Sequence, residues 1–587
     1  MKTKNIRPRP NREQGYALMM VLAFGGIGLL ALASVLSWVT TNGNLIYRNN
    51  QQYRTVAAAE AATEKILTRI TRDFKNGGEA TVYANRSTYA TLVPTSAENP
   101  VWGNYVFNNA QGSSGQTYID RTAAETYVPL ESQYSGLSGF ASSYRVVSNA
   151  KEVSGLYSIP SAVQQDVQLA SIPIFQFGIF YNTDIELMGS ATLYVRGRVH
   201  GNANLFTGST ANQYFYEDVT ASGIITNGMR YGWAIGGTVY YYDSKDANRS
   251  QLTLPIGTNN TAAAVREVLQ PPPAGEDINT AMGRERYYNK AELVIQVTET
   301  NVLLGVKEPY ASSLTTIESL TGTNFVNGNF LTTTNRFTDQ RENKLVFTTE
   351  INVGKFITWA STNATVIATL GAGKPPNLIY VKDSRTTNST KLPAVRLVNA
   401  KILPSRGLSV ATPNPLYTKG HFNQPTDGHL GTTNTSNTKP ASLVSDAYTL
   451  LSANFSDAAS SGSYSTRVAA DTTVVAAIVA GNVVSTGSPS GTTGYSGGAN
   501  NLCRLLEAWS GRTYTLNGSL VCLFNSGMAT AQFQNPGVYY SAPTRNINFD
   551  PNFLDSTRLP PGTPAVRALV RGKWVVPPVN TTTYAGY

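Results

Sequence analysis

Five stretches of this 587-residue chain hold residue types able to do chemistry. GYSGG (494–498) has the spacing of a nucleophile elbow, where a serine sits on a sharp turn between a strand and a helix. Here it lies inside STGSPSGTTGYSGGANN, a Gly/Ser/Thr-rich run without helical pattern behind it, so loop composition accounts for the match. GAGKP (371–375) lacks both the spacing of a phosphate loop and the Ser/Thr after its lysine. His421 and His429 flank Asp427 in GHFNQPTDGH; a metal centre asks for a further ligand and supporting hydrogen bonds, and exposed loop histidines are the plainer reading. FTDQRE carries Asp339, Arg341 and Glu342, which read as a surface ion-pair cluster rather than as paired carboxylates for glycoside cleavage. Cys503 and Cys522, the only two cysteines, enclose 18 residues. In an oxidising compartment they are a disulfide candidate, with a loop-closure contribution of about 3 kcal/mol; the alternative is two buried thiols. Nothing in these stretches calls for a metal or a cofactor, and the chain reads as a non-enzyme.

The elements around these residues follow from composition. Only 14% of residues are charged, while 50 glycines and 32 tyrosines accompany abundant Ser, Thr and Asn. That balance favours strands and turns over helices. The net charge of +10 is concentrated, since Lys2, Lys4, Arg7, Arg9 and Arg12 fall in the first twelve residues. The remainder is weakly basic and has no Lys/Arg stripe interleaved with aromatics, which argues against nucleic acid as a partner.

One helix is expected, at the N-terminus. Tyr16 to Val39 is a run of 24 residues without a charge, about 36 Å as a helix and enough to cross a hydrocarbon core. It exceeds a secretory h-region, and the cations before it place the N-terminus in the cytoplasm. Helical spacing then continues: Ala59, Ala62, Ile66, Ile70 and Phe74 recur on one face, and no proline intervenes between Pro10 and Pro94. Gly77-Gly78 reads as the stop. The expectation is one helix over 16–76, with 16–39 in the membrane and the rest amphipathic.

A basic leader ending in Gly15, followed by an apolar helix that turns amphipathic, resembles the class III signal of type IV pilins and pseudopilins. AAAEAATEKI (57–66) is similar to the post-membrane helix of large minor pilins. The resemblance implies that a prepilin peptidase removes 1–15 by cutting after Gly15. Tyr16 would then be the mature N-terminus, open to methylation, and the helix would be the element that joins other pilins. Most pilins carry glutamate at the fifth mature position, where this chain has Met20. The known exceptions include the large pseudopilin at a filament tip. The resemblance therefore implies a minor pilin or pseudopilin of a type IV pilus or type II secretion-like filament, acting at the tip or in initiation. It further implies a single pass through a bacterial inner membrane, with the bulk periplasmic or displayed on a pilus at the cell surface.

Past Gly78 the chain is a succession of short β-like runs broken by Gly and Asn, such as ATLYVRGRVHGNANLF, GGTVYYYD, TVVAAIVAGNVV and TLNGSLVCLF. No fixed period emerges. The expected class is α+β: the long helix, a mixed β-rich domain over 79–170, a large β-rich domain over 171–547 and a Pro-rich strap over 548–587. Small residues at the corners of short strands favour a parallel β-helix with insertions, and a β-sandwich is the alternative. In the strap, Phe549, Phe553 and Leu559 are the expected anchors. NRFTDQREN, GLSVATPNPLYTKGHFN and LLEAWSGRTYTLNGSLVCLFNS resemble segments of long pilin-like proteins, a likeness that implies shared architecture and no catalytic role. The tyrosines of YFYEDV and TVYYYD suit adhesion to a surface glycan or protein, although strand propensity alone also places Tyr there. The competing functions are a single-pass surface adhesin that does not assemble and a carbohydrate-active β-helix enzyme with an acidic cleft.

Overall fold

The computed structural model describes the chain except residues 1–13, 110–113, 188–191, 229, 232–235, 322–329, 488–493, 534–538 and 580–587. The leader before Gln14 thus lies outside the described residues.

Helix α1 runs over Gln14–Ala84, longer than its sequence pattern suggested. At Gly78 the backbone takes φ +74°, a left-handed conformation that glycine adopts without a Cβ clash, and helix resumes beyond it. The Gly77-Gly78 stop is therefore a break, closed from outside: the Arg567 guanidinium donates to the carbonyls of Phe74 and Lys75 at 3.3 and 3.1 Å, satisfying acceptors the helix end leaves open.

Strands β1 (Tyr105–Asn108), β2 (Tyr118–Pro129), β3 (Ser138–Glu152) and β4 (Pro160–Pro173) form an antiparallel sheet against the second half of α1. Ala59, Ala62, Ile66, Ile70 and Phe74, the face marked by sequence spacing, are all buried there with Phe107, Tyr144, Val146, Val163 and Leu169. After β4 the chain departs into a parallel-stranded body. It first lays down β5 (Ile179–Tyr181), β6 (Ile185–Glu186), β7 (Leu193–Val195), β8 (Val199–Gly201), β9 (Leu205–Phe206), β10 (Gln213–Phe215), β11 (Val219–Ala221), β12 (Ile225–Thr226), β13 (Val239–Tyr241) and β14 (Lys245–Asp246). These stack in parallel: Ile179, Val199 and Val219 are register partners, as are Ile185, Leu205 and Ile225, and Leu193, Gln213 and Val239. Successive turns are thus offset by 20 residues, and by 26 where the last turn carries an insertion. Here the expectation of no fixed period is corrected. Side-chain oxygens of Asp and Asn stitch the corners along the same offset. Asp184 accepts from the Asn204 backbone at 3.0 Å, Asn204 from Ile224 at 3.1 Å, and Asn212 from Thr238 at 2.9 Å.

Short helices and a hairpin, β15 (Leu293–Val297) and β16 (Asn301–Val306), then lead through β17 (Thr315–Thr321), β18 (Leu331–Thr332) and β19 (Arg336–Asp339) to β20 (Lys344–Asn352). From there the chain alternates between two walls through β21 (Leu378–Asp383), β22 (Lys391–Val398), β23 (Leu408–Ala411), β24 (Leu416–Lys419), β25 (Ala441–Ser445), β26 (Tyr448–Leu451), β27 (Thr472–Ala480), β28 (Cys503–Leu505) and β29 (Thr513–Cys522). Odd-numbered strands from β21 to β29 build one wall and even-numbered strands from β20 to β28 the other. The wall ending in β29 continues onto β5, Leu520 facing Ile179, so the two stacks share one wall and one apolar interior. Every residue of β27 is buried, because its outer face is covered as well: Ala477 and Val479 join a second apolar cluster, and Thr473 and Val475 accept hydrogen bonds from Gly431 and Asn423. That two-sided burial explains why TVVAAIVA lacks alternation.

β30 (Thr544–Phe549) adds in parallel to the first half of β29, and β31 (Ala565–Val575) pairs antiparallel with β4. The surface strap expected over 548–587 is corrected accordingly. Phe553 is buried and Phe549 and Leu559 are partly so, but the chain then re-enters the first sheet as its edge strand. The parallel-stranded body is an insertion between two neighbouring strands of the helix–sheet unit.

Candidate functional site

Two features stand free of the fold's internal needs. The first is the leading half of α1. Every residue from Tyr16 through Asn50 is exposed, and the helix is long and apolar enough to cross a membrane by length and composition. Burying this surface in lipid or against like helices removes a cost that water imposes on each apolar side chain. Gly15 lies in the first turn of the helix, Tyr16 is 73% exposed and Met20 57%. Gly25, Gly26, Gly28 and Gly43 have open space around them, room for a neighbouring helix to approach. Burial begins abruptly at Gln51, whose amide donates to the Tyr157 carbonyl and accepts from the Tyr157 N–H at 3.1 Å. Arg48 lies over the same tyrosine ring. This latch fixes where the free helix ends and the folded unit starts.

The second feature is aromatic. The 20- and 26-residue offsets place Tyr194, Tyr214 and Tyr240 in one outward column of the β7–β10–β13 sheet, with ring centroids 5.1 and 4.9 Å apart and planes within 15°. A second column carries Arg196, Tyr216 and Tyr242. The guanidinium sits 5.3 Å from the Tyr216 ring, which stacks on Tyr242 at 5.1 Å. Between them Phe215 stacks on Tyr241 toward the interior. Tyr242 is 62% exposed, and Tyr194, Tyr216 and Tyr240 are also exposed. No ladder joins β7 to β30, although the two strands are neighbours. The gap between them is a cleft of about 390 Å³ lined by Tyr194, Arg196, Thr432, Arg545, Asn546 and Asn548 among others, with no carboxylate among the described residues of its lining.

The residues singled out for chemistry are spent on structure. The Ser496 hydroxyl accepts from Gly498 N–H at 2.9 Å and donates to the Glu186 carboxylate at 3.2 Å. Asp427 pairs with Lys401, His421 accepts from Thr473 N–H at 3.1 Å, and His429 meets Asn434 at 3.1 Å. Asp339, Arg341 and Glu342 are buried, which corrects their reading as a surface cluster. Asp339 accepts from Tyr417 at 2.7 Å, and Glu342 accepts from Arg504 at 2.7 Å and from Ala531 N–H. Burial brings the Arg341 guanidinium down to about 10. Cys503 and Cys522 are free buried thiols on strands of different walls, which corrects the disulfide candidate; burial pushes both thiols up to about 12. Sequence reasoning missed His200. It is 3% exposed, bonded to Thr220 at 2.8 Å and Asn202 at 3.0 Å, and burial lowers its pKa to about 4.

No family model matches the chain, and no curated protein does. A crystal structure of the competence-associated pilin ComZ from Thermus thermophilus aligns over 90% of this chain and 97% of that one, at 8% identity and a TM-score of 0.25. A likeness that loose carries no inference.

Proposed function

We propose that the chain is a type IV pilin-like subunit, a minor pilin or pseudopilin that caps or initiates a filament. The observation that supports this most is the division of α1: a free apolar half from Tyr16 to Asn50 and a second half built into an antiparallel sheet. The free half partitions between the bilayer and a bundle of like helices, and close packing at the four open glycines supplies the contact. With Met20 at the fifth mature position, no carboxylate is available to neutralise a neighbour's N-terminal amine, a pairing that offsets the cost of charge in lipid. A subunit at the end of a filament needs one fewer such pairing. The bulk of the inserted body points the same way, because so large a mass would crowd a shaft at every repeat. We read its stacked parallel ladders as a parallel β-helix that projects from the filament as an adhesive head.

In this reading prepilin peptidase cuts after Gly15, Tyr16 is methylated, and the inner membrane holds the subunit with its N-terminus cytoplasmic until assembly. Filaments sheared from cells and probed for the chain test the assembly step. The proposal expects the chain in the sheared fraction at far lower copy than the main subunit, and its loss from that fraction in Gly15→Leu. A chain that stays wholly with the membrane would favour the single-pass adhesin instead.

A further inference from the structure

We infer that the tyrosine columns and the adjoining β7–β30 cleft form a binding site for a linear acidic glycan. This deepens the adhesive part of the proposed function and does not depend on filament assembly. Within each column the rings face one another at about 5 Å, so a ligand lying along the column meets ring edges and hydroxyls rather than ring faces. A hydroxyl row with that step is close to the rise of one pyranose in an extended glycan, and unlike the ~3.3 Å step of an extended peptide. Bases bind single-strand platforms through ring faces, which these columns have already used on themselves. At the end of the columns the cleft offers Arg196 and Arg545, two hydroxyl-bearing threonines and the amides of Asn546 and Asn548, without an acid among them. Donors of this kind, with charge on the guanidinium, suit a carboxylate flanked by hydroxyls. Glu217 and Asp243 follow Tyr216 and Tyr242 in sequence, at the corner past the second column. Their charge repels an anion at that corner, so the preference for an acidic chain rests on Arg196 and Arg545 in the cleft.

The test uses the full chain in detergent micelles, immobilised for biolayer interferometry against polygalacturonate, dextran and oligothymidylate. Polygalacturonate should bind at least about tenfold more tightly than dextran, and Arg196→Gln with Arg545→Gln should remove that preference. Tyr214→Phe with Tyr240→Phe keeps the stack and removes two hydroxyls, and should weaken binding by about three- to tenfold. Unchanged melting temperatures would assign these losses to the site. Equal binding of dextran, tighter binding of oligothymidylate, no binding of polygalacturonate, or wild-type binding by the double arginine variant would each overturn the inference. The readout uses purified chain, so failure here leaves filament assembly standing, and failure of assembly leaves this result standing.

Discussion

Acidification should loosen the joint between the inserted body and the helix–sheet unit, and His200 sets the size of the effect. Its ring lies 5.8 and 5.5 Å from those of Phe177 and Phe180, in the apolar layer between the two parts. Both ring nitrogens are bonded to neutral groups, so an added proton gains no anionic partner there. The fold holds the pKa at about 4, against an ordinary value of about 6.5. Because the folded value is depressed, an unfolded chain takes up the proton first. The stabilisation is complete above about pH 6.5, declines as pH falls, and levels off near pH 4. A separation of about 2.5 at about 1.4 kcal/mol each gives a ceiling of about 3 kcal/mol. Buried Glu507 and Asp550, whose pKa values burial raises, act in the opposite sense at the acidic end. The assay therefore compares wild type with His200→Gln, which keeps polar contacts and does not titrate. Urea unfolding of the full chain in micelles, followed by tryptophan fluorescence at pH 7, 6, 5 and 4, should show the wild type losing about 3 kcal/mol relative to the variant. A difference that stays constant within about 0.5 kcal/mol across that range would refute the reasoning.

Ile66→Ala should destabilise the helix–sheet unit by about 3 kcal/mol in the same unfolding assay, since Ile66 is fully buried between α1 and the sheet. Arg504→Gln leaves the Glu342 carboxylate in the interior without its cation and should cost about 3–5 kcal/mol; an unchanged midpoint would mean that the pair is not buried. Native protein should resist iodoacetamide at pH 8 and accept two adducts once unfolded without reductant, because both thiols are buried and held at about 12. Adducts that appear only after reduction would establish a disulfide. Gly518→Ala should impair folding outright, as its new Cβ would lie 1.9 Å from the Ala476 carbonyl of the paired strand.

The helix was the legible part of the sequence. Its apolar run and the spacing of Ala59, Ala62, Ile66, Ile70 and Phe74 are local signals, and the structure buries that whole face. Its end was less so, because the cap arrives from Arg567 at the far end of the chain. For the same reason the pairing of β4 with β31, and hence the insertion, left no local trace. The 20-residue offset was present in the sequence but repeats only briefly before a longer turn breaks it, while the second stack varies its turn lengths freely. FTDQRE misled through composition: its charges are held inside by Tyr417, Arg504 and backbone donors that no local pattern announces. YFYEDV and TVYYYD were visible as tyrosine-rich, yet only the register of β10 and β13 turns them into columns.

In the proposed function Gly15 ends a removable leader and the helix after it is kept. Intact-mass and peptide mass spectrometry of chain purified from membranes tests it most directly. The expected mature protein begins at Tyr16 with a methylated amine. A chain that retains Met1, or one cut beyond Val39, would contradict it.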